Sequence, residues 1–412
     1  MIQIKLEIDP LFGFVSKEKI LEYNSQIVSG HRKIYNKTGV GNEYLGWVEM
    51  PSRYTVEELE HIQKLAQEFR QKSELIVIFS AEEAVLGARA VLEALSHLPV
   101  EENVDINAPE MLFVGPGFSA SATADLVKKL TAIDFSVVVI AKTQLTAGNE
   151  PVFQPVLTCL SQKYAPDEWV NRLVLFCKSG EEIPGMPASE IKPKFLPFPD
   201  DISGHFAALS MSGLFLMALA GIPVIDLIAG AKKVEAASRA VNKIYGNPMA
   251  LYAAARQAVF AIGKTTELFV VTEPRLLLFA EWCKQLHQQA EPIQRQKIKT
   301  AISIPDASVI QGTTETAEVN ACFFTTLELN RSVQANAALQ AGTNHQPGKT
   351  GHEALHQNQL PGIRMHIPEI SPDIIGQLIY FFEMAHVVGA YLSGRNPFIR
   401  QEHFNSSNVV QG

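Results

Sequence analysis

Short, uninterrupted apolar runs alternate along this chain with stretches whose apolar residues recur every three or four positions. LIVIF (Leu75–Phe79) and MLFVG (Met111–Gly115) are each followed by such a helical stretch, and FSVVVIA (Phe135–Ala141) is a further run. Strands of a parallel sheet are covered on both faces, so they are apolar throughout, whereas half-exposed strands alternate. The pattern therefore predicts an α/β fold with doubly wound parallel sheets flanked by helices.

The order of these segments predicts four parts in the 412 residues. They are an N-terminal helical segment (1–50), a first α/β domain (51–205), a second α/β domain (206–395) and a polar C-terminal tail (396–412). The second domain begins with the uncharged stretch 206–225. Gly221 and Pro223 interrupt that stretch and its flanks are acidic, which favours a buried core helix over a membrane span.

Charge and cysteine content limit the partners and the compartment. There are 35 Lys and Arg against 43 Asp and Glu, a net charge of −8, which offers no basic surface for nucleic acid or an anionic membrane. The start lacks the pattern of a signal peptide, which predicts a cytoplasmic protein. Four widely spaced cysteines without a CxxC motif indicate buried free thiols.

One motif suggests a metal. HEALH, from His352 to His356, fits the HExxH zinc pattern, in which both histidines must share one helical face. Glycines flank the motif on both sides, so a long helix is not expected there. We interpret it as a chance match and predict no metal and no cofactor.

Several longer segments together resemble the phosphoglucose isomerase family. They are YNKTGVGNEYLGWVEMP, VLGARAVLEAL, FPDDISGHFAALSMSGLFLMALAGI, TEPRLLLFAEWCKQL and IPEISPDIIGQLIYFFEMAHVVGAYLSGRNPF, in the order of the family and over nearly the whole chain. The resemblance implies two sugar-isomerase (SIS-type) domains, a homodimer and a sugar or sugar phosphate ligand. Family members interconvert glucose 6-phosphate and fructose 6-phosphate, which requires a phosphate cradle, a carboxylate base, a ring-opening acid/base and a cation.

The positions that would form the phosphate cradle are altered. Where the family has a Gly-Gly-Ser turn this chain has Glu82, Glu83 and Ala84, and carboxylates there would repel a phosphate. In the second cradle the hydroxyls of Thr143 and Thr146 are kept. Gln311 also matches the family.

The positions that would carry the chemistry are altered as well. Gln289 replaces the base, and an amide cannot accept a proton at neutral pH. Glu291 matches a second, non-catalytic glutamate, His205 replaces the family's arginine, and His356 fits the ring-opening histidine if one residue is deleted. The family's late lysine has no counterpart, because Lys349 is the last lysine of the chain.

Two hypotheses follow. The first is a phosphoglucose isomerase-like protein of carbohydrate metabolism that has lost normal isomerase activity and is retained as a binding or structural protein. The alternative is an active aldose-ketose isomerase that uses Glu291, His356 and His205 in a shifted geometry.

Overall fold

The computed structural model describes residues 1–96, 108–115, 118–141, 150–177, 193–239, 244–289, 298–303, 320–330 and 360–398. These residues form two five-stranded sheets with helices packed against them. Thr143, Thr146, Glu291, Gln311, the 352–356 motif and most of the tail lie outside the described residues.

The first sheet is entirely parallel, in the order β3-β2-β4-β5-β6. Its strands are β2 (Leu75–Ser80), β3 (Glu110–Val114), β4 (Phe135–Ala141), β5 (Leu173–Cys177) and β6 (Lys194–Pro197). Successive side chains of β2 pack into two different hydrophobic clusters. Ile76 and Ile78 belong to one cluster, whereas Leu75, Val77 and Phe79 belong to the other. Burial on both faces explains why this strand is apolar throughout.

Helices cover both faces of this sheet. They are α4 (Val56–Gln71), α5 (Glu82–Leu95), α6 (Ala120–Ala132), α7 (Glu150–Lys163) and α8 (Pro166–Asn171). The start of α4 is fixed by a capping box, in which Thr55 and Glu58 each bond the other's backbone N–H. Leu86 of α5 belongs to the first core, and Leu130 of α6 belongs to the second.

The second sheet has the order β1-β10-β9-β7-β8, with β1 antiparallel and the other strands parallel. Its strands are β1 (Lys5–Glu7), β7 (Thr266–Val271), β8 (Lys299–Ser303), β9 (Cys322–Leu329) and β10 (Gly362–Ile367). The helices of this half are α9 (Met211–Leu219), α10 (Val224–Arg239), α11 (Pro248–Ala261), α12 (Leu277–Gln288) and α13 (Pro372–Leu392).

The N-terminal part of the chain contains α1 (Lys17–Leu21), α2 (Asn24–Tyr35) and α3 (Met50–Arg53). It is not helical throughout, because Lys5–Glu7 forms the edge strand β1 beside β10. Short 3-10 helices occur at Asp9–Leu11, Asn42–Tyr44, Gly46–Glu49, Gly204–Phe206, Ile244–Gly246 and Pro274–Leu276.

Two further expectations are confirmed. All four cysteines are buried and free. The stretch that begins at Phe206 forms the buried helix α9, and Gly221 adopts φ 81° just after it, a conformation that suits glycine.

In the described part of the chain, one helix is long and apolar enough to cross a membrane, Pro372–Leu392. However, 94% of its apolar window is buried inside the protein, as in a core helix.

Glycines bring α10 and α13 into close contact. A Cβ on Gly230 would collide with the carbonyl oxygen of Asp373, and a Cβ on Gly376 would collide with that of Leu227. By contrast, a Cβ on Gly389, further along α13, would meet only the Cβ of Ala253 at an ordinary 3.8 Å.

We therefore expect Gly376→Ala to lower the free energy of unfolding by about 1–3 kcal/mol, because backbone atoms of α10 would have to move. The matched variant Gly389→Ala should be neutral or slightly stabilising, because alanine is the better helix former. Urea unfolding of both variants measures the difference, and equal effects would contradict the proposed close contact.

Candidate active site

The crevice of the first sheet lies at the carboxyl ends of β2 and β4. From these two neighbouring strands the chain continues in opposite directions across the sheet, since β2 connects to β3 on one side and β4 connects to β5 on the other. Open α/β sheets bind ligands at such a switch point. β2 ends at Ser80, so the first turn of α5 lies directly at this crevice.

Acidic residues form the first turn of α5. Glu82 is exposed and Glu83 is half-buried, and Ala81 at the N-cap provides no side-chain hydrogen bond to the turn. A helix N-terminus favours negative charge. The two carboxylates supply that charge themselves, so the turn is a poor place for a second anion.

A turn from the second half of the chain lies against this helix end. A Cβ on Gly204 would meet Cγ of Glu83 at 2.6 Å, so a larger residue there would force the Glu83 side chain to move. The indole Nε1 of Trp282 in α12 donates a hydrogen bond of 3.0 Å to the carbonyl oxygen of His205. The first turn of α5, the Gly204–Phe206 turn and α12 therefore meet, and they bring the 82–84 segment and His205 together, while Gln289 follows the last residue of α12.

His205 is neutral at pH 7. Burial lowers the pKa of its imidazole to about 4, and the hydrogen bond with the Gln285 side chain opposes this shift only in part. The imidazole therefore does not supply the cation that an arginine would supply at the same place.

Gln289 lies just after the last turn of α12 and is only 3% exposed. Neither its amide nitrogen nor its amide oxygen has a hydrogen-bond partner among the described residues. Buried amides usually have partners. The side chain thus offers one donor and one acceptor, and no group that can take up a proton.

A buried ion pair near α12 was not anticipated from the sequence. Glu267, at the start of β7, accepts hydrogen bonds from Tyr252 Oη (2.7 Å), Thr325 Oγ1 (2.6 Å) and the Nε and Nη2 of Arg256 (2.9 and 2.6 Å). The signal in the sequence is a single arginine within the apolar stretch of α11. Such a residue is rarely buried without a partner.

Two further histidines lie beside this pair. The rings of His287 and His386 stack with centroids 5.8 Å apart. Burial lowers the pKa of both, that of His386 to about 3. The ring of His386 also lies 6.1 Å from that of Phe206, the neighbour of His205.

Comparison with known proteins identifies the family. The glucose-6-phosphate isomerase of Bacillus thuringiensis (strain Al Hakam) is 30% identical over 418 residues, which covers 94% of this chain and 90% of that protein. That of Alkaliphilus metalliredigens (strain QYMF) is 29% identical over 420 residues, covering 97% and 92%. The chain belongs to the glucose-6-phosphate isomerase family. No protein-family model matches it.

Solved structures support the same fold. A hypothetical protein from Thermus thermophilus superposes with a TM-score of 0.73 at 20% identity, covering 95% of this chain and 94% of that one. A glucose-6-phosphate isomerase from Chlamydia trachomatis superposes with a TM-score of 0.65 at 16% identity, covering 92% and 81%. The family resemblance and the α/β fold class predicted from the sequence are thus confirmed.

The low pKa of His205 predicts how stability depends on pH. Because the pKa is about 4 when folded and about 6.5 when unfolded, the unfolded chain binds more protons between these values. The contribution of the neutral His205 to the free energy of unfolding is therefore complete above pH 6.5 and is lost as the pH falls towards 4. From pH 7 to pH 5, His205→Asn should lose less unfolding free energy than the wild type, by an amount of the order of 1 kcal/mol.

Urea unfolding at pH 7, 6 and 5 checks this. His61 is exposed on α4, so His61→Asn serves as the matched control and should follow the wild type. A His205→Asn profile parallel to the wild type would show that this histidine is not held neutral by the fold.

Proposed function

We propose that this member of the glucose-6-phosphate isomerase family binds a sugar or sugar phosphate between α5, the Gly204 turn and α12 but lacks ordinary isomerase activity. The observation that carries the proposal is that the amide of Gln289 is buried; the sequence resemblance assigns this position to the family's base. Family membership supports the class of ligand, and the local chemistry supports the loss of turnover. A homodimer and a cytoplasmic location form part of the proposal and rest on the resemblance and on the sequence.

The reaction moves a proton between adjacent carbons through an enediolate. It needs a base of suitable pKa and a positive charge beside the developing oxyanion. Gln289 cannot serve as the base, and the neutral imidazole of His205 supplies no charge. Removal of one such stabilising group typically costs about 100- to 1,000-fold in rate, so two losses together remove useful turnover.

The rival function is an active aldose-ketose isomerase, and it is favoured by relatives at 30% identity that carry that name. It would use Glu291 as a substitute base and His356 for ring opening. A coupled assay with glucose 6-phosphate decides between the two. We expect turnover at least about 1,000-fold below that of the Bacillus thuringiensis relative assayed in parallel.

Three variants, assayed in the same way, test which side chain acts as the base. Glu291→Gln should leave the residual rate unchanged if Glu291 is not the base. Gln289→Glu restores a carboxylate at the position of the base and should raise the residual rate, whereas Gln288→Glu adds the same charge at an exposed neighbour and should not. Ordinary turnover by the wild type, abolished by Glu291→Gln, would overturn the proposal in favour of the active isomerase.

The acidic turn of α5 predicts a second measurable effect. Glu82→Gln removes a carboxylate from the crevice, so we expect the dissociation constant for glucose 6-phosphate to fall about two- to fivefold at low salt. Glu93→Gln removes the same charge from the exposed far end of the helix and should have little effect. Calorimetric titration measures both. An unchanged or weaker affinity in Glu82→Gln would contradict the inferred repulsion.

A further inference from the structure

A second, basic cleft opens beside the candidate active site. It lies where α11, α12 and the end of α13 meet, near the amino ends of β7 and β8. Its polar lining consists of Arg256, Gln257, His287, His386, Ser393 and Arg395. None of these residues belongs to the crevice at β2 and β4.

The charges in this cleft do not balance. Arg256 is paired with the buried carboxylate of Glu267. Arg395 is half-buried, yet in the described part of the chain it forms no salt bridge, and its only side-chain hydrogen bond runs from Nη2 to Ser393 Oγ at 3.3 Å. Its buried Nε has no partner there. A guanidinium stays charged in proteins, so one positive charge has no carboxylate partner among the residues that the structure describes.

The neutral imidazole of His287 lines the same cleft. The His287 side chain is 1% exposed, and neither ring nitrogen forms a hydrogen bond within the described residues. Its Nδ1 lies 3.8 Å from Glu267 Oε2, which is too long for a hydrogen bond. His386 cannot satisfy it, because its Nε2 donates to the carbonyl oxygen of Pro397 at 2.9 Å. Buried polar groups without partners are uncommon, so this imidazole points to a missing ligand.

We propose that this cleft binds the oxyanion of a small molecule, a phosphoryl or carboxylate group, through the guanidinium of Arg395 with His287 as a neutral donor. A guanidinium presents paired N–H groups that match both kinds of oxyanion. The enclosed volume is about 20 Å³. That volume holds about one water-sized group, so one oxygen of the anionic group enters and the rest of the ligand remains at the open mouth.

A water molecule alone does not explain the site. Water could satisfy the imidazole of His287, but it cannot neutralise the charge of Arg395. Glu267 cannot do so either, because it already accepts four hydrogen bonds. An anion satisfies both groups at once. The inference does not depend on the proposed function, since it concerns other residues and a different probe.

The test is a titration of the full chain with inorganic phosphate, and separately with acetate, at constant ionic strength adjusted with sodium chloride. Calorimetry measures affinity, and the resonances of ¹³C-labelled histidine rings report on the cleft. We expect saturable binding of at least one of the two anions and a shift of the His287 resonance. The anion that binds more tightly distinguishes a phosphoryl ligand from a carboxylate.

Arg395→Gln should weaken this binding at least about tenfold, because a charge-assisted contact is lost. Arg275→Gln removes the same charge from a partly buried arginine outside the cleft, which pairs with Glu273, and should bind as the wild type does. If Arg395→Gln does not fold, Arg395→Lys keeps the charge without the paired donors and should still weaken binding. No saturable binding of either anion would overturn the proposal, as would wild-type affinity in the folded Arg395 variant.

Discussion

The junction at Gly87 determines where every candidate residue lies. A Cβ there would meet Ala208 Cβ at 2.7 Å and Trp282 Nε1 at 3.1 Å, so glycine lets α12 and the segment after the Gly204 turn pack directly on α5. Trp282 then holds the turn through its hydrogen bond to His205. The three-way contact couples the two sheets, and it brings the acidic helix end and the segment that carries His205 together on α12, the helix that ends just before Gln289.

Burial rather than ion pairing sets the chemistry of this region. The pKa values of His205 and His386 are lowered and that of Glu383 is raised well above its ordinary value, in each case mainly by removal from water. All three shifts favour the uncharged form. With the imidazole of His205 held neutral, the site can bind a polar ligand, but His205 does not supply the positive charge that an enediolate requires.

The sequence predicted the buried strands and, among the edge strands, only the apolar β3 (Glu110–Val114); the other edge strands were missed for one physical reason. β2, β4 and β7 are covered by neighbours on both sides and read as apolar runs, whereas β1, β6 and β8 lie at sheet edges, are partly exposed and carry mixed sequences. The acidic turn of α5 was predictable because it follows a buried strand directly. The neutrality of His205 and the Arg256–Glu267 pair were not, since both depend on contacts between distant segments.

The distribution of charge gives the strongest argument for a changed function. Carboxylates occupy the crevice of the first sheet, while the guanidinium of Arg395, which forms no ion pair with another described residue, lies at the amino end of the second. An anionic ligand is therefore repelled from the place where the family resemblance puts a phosphate and attracted towards Arg395. His287 adds a neutral donor beside that charge. If the proposed cleft is occupied as inferred, the ligand's charged end faces the second sheet, and the reacting carbons of a sugar phosphate would no longer lie beside position 289.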